Sequence, residues 1–251
     1  MTDNKAYAVV VLKPVEAKRL IAKAVVQLPE VANALKNGKV VVTLGSTNAF
    51  VVEEILHEPL SDKYKYYAGV ISQGELGIVP EEMRYPSMVL VKGQKSDIHA
   101  REIVEEFGSD DVYIKGANAV DPEGNVGILL GSETAGTTVG KSLPILFARG
   151  SHLIVPVGLE KLVPSVKEAA KKCGIRRLKY ATGTKVGYMA VVSAKVITEI
   201  QAFQILSGVQ ATLIASGGHE GGEGSTVFAL EGDEENITKA FELIRAIKSD
   251  N

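Results

Sequence analysis

Val40-Val41-Val42-Thr43-Leu44-Gly45-Ser46-Thr47-Asn48 is the stretch on which the fold reading turns. Four of its first five residues are apolar and four are β-branched, the composition of a strand buried on both faces of a sheet. Gly45 then allows a tight exit, and Phe50, Val51 and Ile55 recur at helical spacing. A strand, a polar turn and a helix in that order form the repeating unit of a parallel sheet covered by helices.

Working outward from this unit, Ala6 to Leu12 reads as a first strand. Leu20, Ile21, Ala24, Val25 and Leu28 mark a helix, and Pro29 opens a second one that Asn37-Gly38 stops. Further strands are expected at 68–72, 88–92, 111–115, 127–130 and 152–157, and helices near 98–107, 137–149 and 162–172. Past residue 183 the order becomes β-α-β-β-α, with strands at 186–192, 209–215 and 226–230 and helices at 196–206 and 237–247. The expected architecture is α/β: a mostly parallel, Rossmann-like sheet with helices on both faces over residues 1–183, and a small ferredoxin-like α+β lobe over residues 184–251.

The chain of 251 residues carries 45% hydrophobic and 23% charged residues, so it can fill a core without staples. Its 28 basic and 30 acidic side chains leave a net charge of -2, which provides no global field for nucleic acid or an anionic membrane. Neither partner is expected, and any anion site must be local. Cys173 is the only cysteine, which excludes an intrachain disulfide and suits a reducing, cytoplasmic setting. No apolar run reaches the length of a transmembrane helix, and the N-terminal run lacks the charge order of a signal peptide.

Four segments carry polar groups in patterns that suggest chemistry. Gly45, Ser46, Thr47 and Asn48 combine a close-approach glycine, two hydroxyls and an amide at a helix N-terminus, a setting suited to a phosphate or carboxylate; the competing reading is a plain helix cap. Ala135 to Ser142 matches a relaxed nucleotide-binding loop ending in Gly140-Lys141-Ser142, although Ser132-Glu133-Thr134 separates it from its strand and no later strand ends in a magnesium-binding Asp. Lys115 to Asn125 runs from a strand end into the turn Asp121-Pro122-Glu123-Gly124; Lys115, Gly116 and Asn118 there are candidate ligand contacts, and Glu133 beyond them is a candidate nucleophile or base. Ser216 to Ser225 holds five glycines in ten positions, and Gly218, His219, Gly221 and Gly222 form a candidate lid over the ligand. No metal site is expected, since His219 and two glutamates lack a further ligand, and no cofactor can be named.

The succession of Ile21-Ala22-Lys23-Ala24, Asn37-Gly38, Val40 to Leu44, Gly45-Ser46-Thr47 and Lys115-Gly116-Ala117-Asn118-Ala119-Val120-Asp121 resembles the superfamily of ribose-5-phosphate isomerase, glucosamine-6-phosphate deaminase and coenzyme A transferase. Leu143-Pro144, His152 to Val155 and Gly158 to Pro164 look most like its lactate-utilisation branch. The resemblance implies a ligand at the strand ends, held by the loop after the first sheet strand. Lys115, Asn118 and Ala119 stand where the isomerases carry carboxylates, which argues against pentose isomerisation.

The expected function is binding of a small anionic metabolite, a sugar phosphate or CoA ester, with isomerisation, acyl transfer or hydrolysis as the reaction if Glu133 is catalytic. The alternatives are a non-catalytic metabolite sensor or scaffold and, further off, a nucleotide hydrolase using Lys141. A homo-oligomer is the expected assembly.

Overall fold

The computed structural model describes residues 5–136 and 138–249; Thr137, the expected start of a helix, lies outside the described residues. The first third of the chain forms β1 (Lys5–Leu12), α1 (Pro14–Val26), α2 (Pro29–Asn37), β2 (Lys39–Val42) and α3 (Ser46–Leu56). Next come β3 (Gly69–Ser72), β4 (Glu75–Ile78), β5 (Met88–Val91), β6 (Gln94–Lys95), α4 (Ala100–Ile103), β7 (Val112–Ile114), β8 (Ala119–Val120) and β9 (Val126–Leu130). The remainder holds α5 (Ser142–Arg149), β10 (His152–Pro156), α6 (Val166–Lys172), β11 (Gly187–Val191), β12 (Lys195–Ile197), α7 (Glu199–Ser207), β13 (Gln210–Gly217), β14 (Ser225–Asp233) and α8 (Glu234–Ser249).

The main sheet has the order β12-β10-β7-β2-β5-β6. β12, β10, β7 and β2 run parallel, whereas β5 is antiparallel to β2 and β6 folds back on β5. The sheet is therefore mixed, which corrects the mostly parallel expectation and leaves the fold at a mixed α/β description. After α3 the chain makes the β3–β4 hairpin and short 3-10 turns before β5 enters against β2. The parallel half behaves as its composition implies, with Val40, Val41, Val42, Val112, Ile114, Ile154 and Val155 all fully buried.

Asp111 aligns the two strands that carry the site. Its buried carboxylate accepts hydrogen bonds from the Lys39 amide at 2.7 Å and the Gly108 amide at 2.7 Å, tying the starts of β2 and β7 together. A side chain at Gly38 would intrude on this bond, since a Cβ there would stand 2.7 Å from Asp111 Oδ1.

The elements after residue 183 occur largely where expected, but they are shared among three sheets. β11 pairs with β9, β12 joins the main sheet beside β10, and β13 and β14 make a three-stranded sheet with β1 from the other end of the chain. That arrangement replaces the expected self-contained ferredoxin-like lobe, and no break between sheets follows the 183/184 division. α1 packs on α3, α7 and α8, bridging the two parts. Among the described residues, no helix is long and apolar enough to cross a membrane.

Candidate functional site

The ends of β2 and β7 lie side by side and open into a cavity of about 540 Å³. Its walls include Gly45, Ser46 and Thr47 after β2, and Lys115 to Asn118 after β7. The β3–β4 hairpin contributes Gly69 and Leu76 to Ile78, the end of β9 contributes Ile128 to Leu130, and the following loop adds Ser132, Thr134 and Thr138. The volume suits a small metabolite.

The backbone of the two strand ends is closely packed, with a Cβ at Gly116 falling 3.8 Å from the Gly45 Cα. Asn48 is the staple of this junction. Its fully buried Nδ2 donates to the Thr43 carbonyl at 2.8 Å and the Ile114 carbonyl at 3.3 Å, locking the start of α3 onto β2 and β7. It is not one of the cavity walls, so its amide serves the loop's shape. Thr47 is on the wall, and its buried Oγ1 has no hydrogen-bond partner. That oxygen is sealed from the cavity, and the polar groups available at this strand end are the free N–H groups in the first turn of α3.

Two lysines converge beside that strand end. Lys115 Nζ donates to the Gly116 carbonyl at 3.2 Å, and Lys161 Nζ donates to the next carbonyl, Ala117, at 3.1 Å. Both ammonium groups thus sit over consecutive peptide units in one cavity, and among the described residues neither is paired with a carboxylate. Burial first, and the neighbouring Lys161 charge second, push the Lys115 ammonium down to about 8. Burial also lowers Lys161, opposed by the charges of Glu160 and Glu199. Arg84 and Arg101 extend the positive wall, and Glu81 is the acidic side chain among the wall residues.

Asn118 works at the rim, where its Oδ1 accepts the Leu129 amide at 3.0 Å and holds β9 against the β7 loop. Lys161 and the two arginines escaped the sequence reading. Lys161 follows an expected strand end, a position where ligands bind in open α/β sheets, and that rule was the signal available; Arg84 and Arg101 carry no pattern.

Behind Lys161 lies a second ionisable group cluster. Glu199, at the start of α7, is fully buried and accepts the Leu159 amide at 2.9 Å and 3.2 Å. Burial, reinforced by the nearby charge of Glu160, pushes its carboxyl up to about 7. Both carboxylate oxygens of Glu160 are buried without a hydrogen-bond partner.

Glu133 lies outside the cavity walls. Its exposed carboxylate is held by Arg176 through bonds of 3.1 Å and 2.7 Å, which lower its proton affinity and deprive it of the poise of a general base. The nucleotide-loop segment does reach the cavity through Ala135, Gly136, Thr138 and Val139, but Lys141 is exposed and not among the walls. Gly218, His219 and Gly221 are likewise exposed and Gly222 is half-buried, and none of the four is among the walls, so the chain does not lid its own cavity with them. Their glycines answer a local need: at φ 113° a Cβ on Gly218 would meet the Gly222 carbonyl oxygen at 1.9 Å. Asp121 accepts from the amides of Val166, Glu123 and Asn125 and is a structural turn residue. No group of three metal-ligating side chains converges among the described residues.

No protein-family model, no curated protein and no solved structure matches this chain.

Proposed function

We propose that the protein binds a small anionic metabolite, of the sugar-phosphate class or the acyl end of a CoA ester, in the cavity at the ends of β2 and β7. One observation carries this reading: Lys115 and Lys161 present two ammonium groups over consecutive carbonyls with no carboxylate partner, in the cavity that the start of α3 also lines. Two buried like charges repel, and an anion bridging them relieves both the repulsion and the desolvation. Membership of the isomerase, deaminase and transferase superfamily is part of the same proposal, resting on the segments quoted above.

Glu133 has no place in this account. Without it the transferase reading loses its nucleophile, and a non-catalytic sensor gains ground because acidic side chains are scarce in the walls.

A thermal-shift titration with inorganic phosphate, ribose 5-phosphate and acetyl-CoA tests the reading. A ligand at 100 times its Kd adds about 2.7 kcal/mol of stability, and Lys161→Met should remove most of that gain. A full series of anions that leaves the melting temperature unmoved overturns it.

A further inference from the structure

Lys115 has the surroundings of a reactive amine. It stands at the end of a central strand, is half-buried in the cavity, and is fixed by one carbonyl bond to Gly116. The charge that acts on it is Lys161 after β10, and the other charged groups lining the same cavity are Arg84, Arg101 and Glu81. An anion bridging the two ammonium groups relieves their repulsion, but before one arrives the two charges face each other alone. That crowding favours loss of one proton, and a neutral lysine amine is a nucleophile toward carbonyl carbon.

We propose that Lys115 forms an imine with a small carbonyl compound bearing a carboxylate or phosphate, with Lys161 and the arginines holding the anionic group. This inference rests on the anion-binding reading and adds the substrate class, a 2-oxo acid or a phosphorylated aldehyde or ketone. The neutral Nζ adds to the carbonyl carbon to give a carbinolamine. The carbonyl oxygen then leaves as water, taking up the proton released from nitrogen and one from solvent, and a protonated imine remains, with no oxidant or reductant required. The pKa of about 8 makes the amine available near neutrality: at pH 8 its neutral fraction exceeds that of an ordinary lysine by roughly two orders of magnitude. Serine and threonine hydroxyls of the walls, Ser46, Ser132 and Thr138 among them, are placed to hydrogen-bond the departing oxygen or the anionic group.

The experiment is reductive trapping of the full chain with glyoxylate and cyanoborohydride at pH 8, read by peptide mass spectrometry. The expected result is carboxymethylation of Lys115 at least about tenfold faster than of the exposed Lys167, slowed by added inorganic phosphate. Lys161→Met, which removes the neighbouring charge, should shift the pH profile of trapping at Lys115 upward while preserving the labelled site; a merely structural Lys161 would leave the profile in place. Lys115→Arg keeps the charge and should abolish the fast phase, with its circular dichroism and melting temperature checked against the parent. Labelling of Lys115 no faster than Lys167 overturns the imine proposal. If phosphate still raises the melting temperature in that case, the anion-binding reading stands and only the imine is lost; if no anion stabilises the protein, both fall.

Discussion

Lys115 and Glu199 both stand at the C-terminal ends of strands of the same sheet, and burial pushes both toward their neutral forms, yet the surroundings treat them differently. Glu199 is sealed, receives the Leu159 amide on both oxygens, and is driven toward its neutral form at about 7. Lys115 opens onto a cavity, has one carbonyl for a partner and faces a second ammonium, and it is driven toward its neutral form at about 8. The same desolvation thus yields a packed structural acid in one place and an accessible amine in the other. What separates them is the free volume next to the charge.

The comparison is sharpened most by titrating stability. Glu199 holds its proton more tightly folded than unfolded, so its contribution is fully present below the ordinary glutamate pKa of 4.5 and is lost as pH rises through about 7. The expected loss is about 3 kcal/mol, seen in urea melts between pH 5 and pH 8. Glu199→Gln should remove that component; an unchanged slope would show that Glu199 is solvated after all. Truncation comes next. Glu199→Ala at pH 6 leaves the Leu159 amide without its acceptor and opens a void, with an expected cost of about 2 kcal/mol.

Lys115→Met should act in the opposite direction. It removes a desolvated charge near a like charge and should raise stability at pH 7 by about 1 kcal/mol while abolishing the phosphate-dependent gain. Destabilisation together with retained phosphate binding would break the contrast between the two residues. The smallest effect is expected from Glu133→Gln, because its ion pair with Arg176 is fully exposed and screened by water. Its melting temperature, phosphate response and Lys115 trapping rate should match the parent.

Particular residues show how far the sequence could be read. The run Val40 to Asn48 announced a buried strand, a turn and a helix because β-branching and spacing report burial directly, and β2 and α3 follow it closely. The same run could not reveal that Met88 to Val91 enters antiparallel, since alternation of apolar residues is the same in either direction. Glu133 attracted attention as a carboxylate near a strand end, but its partner Arg176 is 43 residues away. Glycines 217 to 224 suggested a lid because their number was visible, whereas the tight turn that uses them depends on backbone angles.

Composition and short-range spacing were enough to place the long buried strands and the amphipathic helices α1, α3, α7 and α8, but not the short strands β4, β6, β8 and β12, whose few residues carry no period of their own. Only the tertiary structure decided that β1 completes the C-terminal sheet, that β5 reverses the main sheet, and that Lys161 comes to rest beside Lys115. Partner choice between distant segments and the desolvation of a charge are properties of the assembled core, and no local pattern encodes them.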